Sequence, residues 1–258
     1  MNVEGRHRLQ TEPSPVPSLL RILGGGFELP AWPSMIWHLY DYSLQPAGAY
    51  FGAKRALEPL HPIYGYDDRS IWLVSSQYKD VKGLKLTTKI YNLDATEKFS
   101  HENAVDAPAD STAKILTLPD LPGLTATYFL ALRLTDSAGQ LVGSNFYWLS
   151  TKAEAVDWAK STWWKTETAQ FADYTALSSL VSEAESYRAQ RQERARHPAQ
   201  PEQEHGFFVR LKVNKGAAGR EILPVVWNDN YISLLPGEKR ETVASYRASD
   251  LARIIRDF

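Results

Sequence analysis

Cysteine is absent from this 258-residue chain, which excludes disulfide staples and thiolate metal sites while leaving the redox compartment open. Charge of one sign is lacking too: 29 Lys and Arg stand against 30 Asp and Glu, a formal net charge of −1. A near-neutral chain has no bulk field with which to hold nucleic acid or an anionic bilayer, so neither is expected as a partner. No stretch approaches the ~20 consecutive apolar residues of a membrane helix. The first ten residues are polar and hold no apolar core of a secretion signal, so the sequence leaves the compartment undetermined. Histidines at 7, 38, 61, 101, 197 and 205 show no metal-ligand spacing, and no metal is expected. Gly24-Gly25-Gly26 is followed by no Gly-Lys-Ser/Thr and preceded by no clear strand, so it does not make a phosphate loop and no cofactor is expected.

Aromatic residues are plentiful. Trp32, Trp37, Tyr40, Tyr42, Tyr50 and Phe51 crowd into twenty residues, after a segment 1–29 that has little pattern and reads as a flexible leader. From 46 to 57 the apolar residues Ala49, Tyr50, Ala53, Ala56 and Leu57 recur at helical spacing. Pro46 fits the first turn of such a helix and Pro59 stops it. One strand and one helix cannot bury this much ring surface, so a partner layer is required.

Beyond residue 62 the period changes to two. Strands are expected over 71–74, 84–91, 115–118, 128–135 and 140–149, with Asp136-Ser137-Ala138-Gly139 as a hairpin turn. Short strands between turn signals predict an antiparallel immunoglobulin-like sandwich over 62–151. Residues 152–181 read as an aromatic-rich linker and the start of the next domain, with Trp158, Trp163 and Trp164 strapped onto neighbouring domains. The arginine- and glutamate-rich segment 182–205 reads as disordered. A strand pattern returns over 207–213, 222–227, 231–235 and 242–246, so 206–258 reads as a partial second sandwich whose last residues look helical.

The ordered motifs Ala31-Trp32-Pro33-Ser34-Met35-Ile36-Trp37-His38-Leu39-Tyr40-Asp41-Tyr42, Gly48-Ala49-Tyr50-Phe51-Gly52-Ala53-Lys54-Arg55 and Glu58-Pro59-Leu60-His61 resemble glycoside hydrolase family 2. The resemblance is to the branch of exo-β-D-glucosaminidases, β-mannosidases and mannosylglycoprotein endo-β-mannosidases. Tyr64-Gly65-Tyr66-Asp67-Asp68-Arg69-Ser70, Leu223-Pro224-Val225 and Leu234-Leu235-Pro236-Gly237-Glu238-Lys239 resemble the C-terminal domains of that branch. The resemblance implies a mainly β chain of immunoglobulin-like sandwiches. Residues 30–61 before them would be the last strand and helix of a (β/α)₈ barrel. It implies a β-linked mannose- or glucosamine-containing glycan as substrate, with Trp32 as an apolar wall beside the sugar and Tyr40 and Asp41 near it.

The resemblance also implies what this chain lacks. A retaining glycosidase needs two carboxylates about 5–5.5 Å apart. In the family both precede the Ala31-Trp32-Pro33-Ser34 motif, so no catalytic residue is assigned here and the chain alone is expected to be inactive. Asp41, Glu58, Asp67 and Asp68 are the nearby carboxylates, and each reads as structural or solvated. Segments 1–29, 182–205 and 248–258 depart from the family pattern, so a truncated or frame-disrupted product is expected, with a separately encoded barrel as a further partner. The rival reading from another class is a non-catalytic carbohydrate-binding or interaction module that uses Trp158, Trp163 and Trp164.

Overall fold

The computed structural model describes residues 39–41, 44–180, 195–196, 206–214, 219–238 and 240–247. The expected leader, Trp32 and the expected C-terminal helix lie outside them. Two compact units divide the described residues: 54–179 form one, and 39–53 with 180–247 form the other.

The first unit is the expected sandwich, completed by strands that the sequence pattern did not announce. β1 (Leu60–Gly65), β2 (Ser70–Ser75) and β5 (Ser111–Thr117) form a three-stranded antiparallel sheet in the order β1-β2-β5. β3 (Val81–Asn92), β4 (Glu97–Ala107), β6 (Thr127–Thr135) and β7 (Leu141–Ser150) form a second in the order β4-β3-β6-β7. Alternation along β3 and β6 turns Leu84, Leu86 and Ile90 and Leu130, Leu132 and Leu134 inward, where they meet Leu60, Ile71, Leu73 and Leu149. Pro62, which has no N–H to give, sits in β1 at the edge of its sheet.

The β6–β7 turn is built by Asp136, whose Oδ1 accepts from Ala138 N at 2.9 Å and Gln140 N at 2.8 Å, with Gly139 at φ 77°. Gly143 in β7 is required by packing: a Cβ there would lie 2.9 Å from the Leu60 carbonyl oxygen of β1. Tyr147 of β7 ties the strands at the same place, its hydroxyl accepting from Tyr64 N at 3.1 Å and from Asn145 Nδ2 at 2.7 Å.

Residues 152–181 are more ordered than a linker. β8 (Ala155–Asp157) and β9 (Glu167–Gln170) pair as an antiparallel hairpin, and a 3₁₀ turn follows over Thr175–Leu180. Trp158 is 70% and Trp163 91% exposed. Lysines beside them are spent locally, Lys160 on Asp157 at 2.9 Å and Lys165 on Glu167 at 2.5 Å.

The second unit opens with the loop 39–47 and α1 (Gly48–Ala56), one turn shorter than the expected 46–57. Its strands are brief. β10 (Ala195–Arg196), inside the segment read as disordered, pairs with β14 (Glu241–Thr242). β11 (Gly206–Val209) pairs with β13 (Ile232–Leu234), and β12 (Val226–Trp227) with β15 (Ala244–Ser245). Phe51 of α1, 1% exposed, packs with Ile222, Val225, Trp227 and Ala244. The helix thus buries Phe51 on β residues rather than the whole expected stripe, of which Ala56 and Leu57 are exposed, and the described residues contain no barrel. An amphipathic stripe says that a face is covered, not which layer covers it.

Candidate functional site

The loop 39–47 carries the two described residues that the sequence assigned to a sugar. It is a tight turn closed twice by backbone: Asp41 N donates to Gln45 O at 2.9 Å, and Ala47 N to Leu39 O at 3.0 Å. The Asp41 side chain closes it a third time, Oδ1 accepting from Gln45 N at 2.9 Å. Leu44 takes φ 63°, and Tyr40 bridges to Pro46. The exposed Asp41 carboxylate is thus held in place by the turn it makes.

From Tyr40 a run of rings leads into the second unit. Tyr40 meets Tyr50 at 5.1 Å between centroids, Tyr50 meets Phe51 edge-on at 5.1 Å, and Phe51 meets Tyr231 at 6.1 Å. Tyr231 meets Phe208 at 5.3 Å. Such tilted and edge contacts are the favourable geometry for ring quadrupoles. Burial pushes the Tyr231 hydroxyl above its ordinary range, and the carboxylates of Glu221 and Asp41 add to the rise, so the phenol stays neutral through the physiological range. Glu221 Oε1 accepts from Gln45 Nε2 at 2.7 Å, and Arg210 Nη2 donates to both Glu221 oxygens at 3.0 Å.

The result is an aromatic corner with one solvent-facing carboxylate. Flat rings suit the C–H face of a pyranose, and Asp41 can accept from a hydroxyl or an ammonium group. Of the assigned residues, the structure brings Tyr40 and Asp41 together in one turn, while Trp32 lies outside the described residues. Phe208, Arg210, Glu221 and Tyr231 were missed. They lie some 170 residues downstream in the chain, and only the pair Phe207-Phe208 marks the place in the sequence.

Of the other candidate carboxylates, Asp68 is engaged in a local network. Asp68 accepts from the Ser70 hydroxyl, from Ser70 N at 3.1 Å and from Lys114 Nζ at 2.9 Å. The Ser70 hydroxyl and then the Lys114 ammonium hold its carboxyl well below the usual range, the opposite of what a general acid needs. Glu58 serves through its backbone, which accepts from His61 Nδ1 at 2.6 Å. Asp67 is exposed in the turn before β2. Among the described residues no cluster of His, Asp and Glu could hold a metal ion.

The chain is similar to known proteins over most of its length. Residues 67–152 match the family described as the mannosidase Ig/CBM-like domain, and residues 163–256 the exo-β-D-glucosaminidase Ig-fold domain. The second match runs across 182–205, which the sequence reading treated as a departure. The exo-β-D-glucosaminidase of Amycolatopsis orientalis is 40% identical over 238 residues, 85% of this chain and 22% of that protein. That of Arthroderma benhamiae is 31% identical over 227 residues, 84% of this chain and 25% of that one. The chain therefore spans about a quarter of the length of these relatives.

β-Mannosidase B of Aspergillus clavatus is 26% identical over 136 residues, covering 45% of this chain and 16% of that protein. The crystal structure of Amycolatopsis orientalis exo-chitosanase CsxA superposes with a TM-score of 0.73 at 36% identity, over 87% of this chain and 28% of that one. The chain thus carries Ig-fold domains like those of the exo-β-D-glucosaminidases of glycoside hydrolase family 2, with β-mannosidases as more distant homologues.

Proposed function

We propose that this chain is the C-terminal part of a retaining exo-β-glycosidase that removes terminal β-linked glucosamine, with β-mannosides as the second substrate class. Its sandwiches support the catalytic portion, and the loop 39–47 forms one wall of the sugar site. Trp32 stacks on the sugar, Tyr40 extends the apolar wall, and Asp41 receives a hydroxyl or the 2-ammonium group. Residues 30–61 complete a (β/α)₈ barrel whose active site, as in barrels generally, opens at the C-terminal ends of the strands. The carboxylate pair comes from polypeptide upstream of the Trp32 motif.

The observation that carries this reading is the match at 40% identity to a glucosaminidase across 85% of this chain but only 22% of that enzyme. Purified chain is expected to release no nitrophenol from p-nitrophenyl β-D-glucosaminide or β-D-mannoside. Co-expression with the upstream portion of the Amycolatopsis orientalis enzyme is expected to restore glucosaminidase activity ahead of mannosidase activity. Turnover by the chain alone would overturn the missing-carboxylate argument, and failure of the pair to assemble would overturn the rest.

A second reading is favoured by the indoles of the β8–β9 hairpin. Trp163, at 91% exposure, offers a flat apolar face on which a sugar ring could stack. Calorimetric titration with chitosan oligomers, lost on Trp163→Ala, would favour this reading over the first.

A further inference from the structure

The second unit has a feature that packing alone does not require. Phe208 and Tyr231 both adopt left-handed backbone conformations, at φ 51° and 50°. For aromatic residues this costs about 1–3 kcal/mol each, a cost met at sites where surrounding structure fixes a side chain in place. What fixes them here is visible. The β11–β13 register slips between Gly206 and Val209, around Phe208. Phe208 N donates to Ser233 Oγ at 3.2 Å. Asn230, 2% exposed, grips Leu211 from both sides, accepting from its N at 2.7 Å and donating to its O at 3.0 Å, and also accepts from Tyr231 N at 2.8 Å.

The two strained rings are aimed at the start of α1. A Cβ on Gly48 would lie 2.6 Å from Phe208 Cζ and 3.4 Å from Tyr231 Cδ1, so only glycine admits this approach. Three residues earlier, Gln45 closes the Asp41 turn with its backbone and reaches Glu221 with its side chain. Glu221 is itself pinned by Arg210. The C-terminal end of the loop 39–47 is therefore held at two points by residues between 208 and 231, an ion-paired acceptor at Gln45 and a ring wedge at Gly48 just beyond it.

We propose that Glu221, Arg210 and Phe208 are positioning residues for the sugar site. By fixing the Asp41 turn they set where Tyr40 and Asp41 stand relative to bound sugar, so the second Ig-like unit shapes substrate affinity without touching substrate. This rests on the proposed glycosidase reading for its consequence, but not for its geometry. Loops that orient a substrate are sensitive to displacements of about 1 Å, which is why an anchor outside the site matters to it.

The test has two arms. In the purified chain, Glu221→Ala is expected to speed hydrogen exchange at the Gln45 and Ala47 amides about tenfold, as loss of one charge-assisted hydrogen bond would. Glu221→Gln keeps an acceptor for Gln45 and is expected to restore slow exchange. Unchanged exchange in Glu221→Ala, or an equal rise throughout 206–247, would overturn the proposal. In the co-expressed complex, Glu221→Ala is expected to raise KM for p-nitrophenyl β-D-glucosaminide about tenfold with kcat little changed. Glu221→Gln is expected to rescue it, and a fall in kcat at constant KM would overturn the positioning role. If no complex forms, the glycosidase reading fails, while the exchange arm still decides whether the clamp exists.

Discussion

In the first unit β3 and β6 pair without interruption from Lys85–Thr135 to Asn92–Tyr128, and the side chains between the sheets are Leu and Ile in alternation. In the second unit the longest strand is Gly206–Val209, and several pairings are only two residues long. Order there comes from side chains that reach backbone, such as Asn230 to Leu211, Asn228 Oδ1 to Val243 N and Glu238 Oε2 to Leu235 N at 3.0 Å. The first unit spreads its stability over a ladder, so losing one bond costs little. The second concentrates it in a few polar anchors and one helix, so a single deletion is felt widely.

That contrast can be broken by mutation. The largest effect is expected at Phe51, the helix residue buried among Ile222, Val225, Trp227 and Ala244. Phe51→Ala should cost the second unit about 3–5 kcal/mol, which its short pairings cannot absorb. Loss of slow exchange at Trp227, Ile232 and Leu234 in urea would read this out. Protection retained there would show that the helix is dispensable.

Asn230→Ala should come next. It leaves both polar groups of Leu211 and the Tyr231 amide without their partner, at about 2–4 kcal/mol by chemical denaturation. Alanine at Asn103, an edge-strand residue of the first unit, is the contrasting control and should stay within about 0.5 kcal/mol. Equal costs at the two positions would erase the distinction between ladder and anchor.

A smaller effect is expected from pH. Burial pushes the His61 imidazole down, against the opposing pull of the Glu58 carbonyl. The unfolded chain takes up this proton near pH 6.5. Below that value the unfolded state binds more protons, so stability is full above about pH 6.5 and declines as the pH falls. Thermal midpoints of the first unit at pH 7.5 and 5.5 should differ in that direction, and His61→Gln should narrow the gap. The smallest effect is expected at Trp163, where alanine should change stability by less than about 0.5 kcal/mol despite the loss of an indole.

The first unit was largely legible in the sequence because several of its strands carry an apolar face at every second residue, as Leu84, Leu86 and Ile90 of β3 and Leu130, Leu132 and Leu134 of β6 do. Besides the β8–β9 hairpin, two strands of the sandwich escaped notice for physical reasons. β4 (Glu97–Ala107) is an edge strand whose side chains mostly face water, so it carries no apolar period, and β1 hides behind His61-Pro62. Of the proposed site, Tyr40 and Asp41 were assigned through family motifs. The anchors Arg210 and Glu221 were not, because a contact across some 170 residues of chain leaves no local trace. Likewise the period read on Ala49, Tyr50, Ala53, Ala56 and Leu57 found the helix but missed the buried Phe51 and could not name Trp227 as its cover.

Tryptophans of the two units differ in their surroundings, apart from Trp72 and Trp148, which are half-buried in the first unit. Trp227 in the second unit is 6% exposed, whereas Trp163 and Trp158 in the first stand in water. Indole emission shifts to longer wavelength as its surroundings become more polar. With the tryptophans at 32, 37, 72 and 148 replaced by phenylalanine, a red shift on mild denaturation would therefore report the second unit opening, while accessible quenchers would dim the β8–β9 hairpin first. The chain carries its own two-channel reporter, with no label to attach.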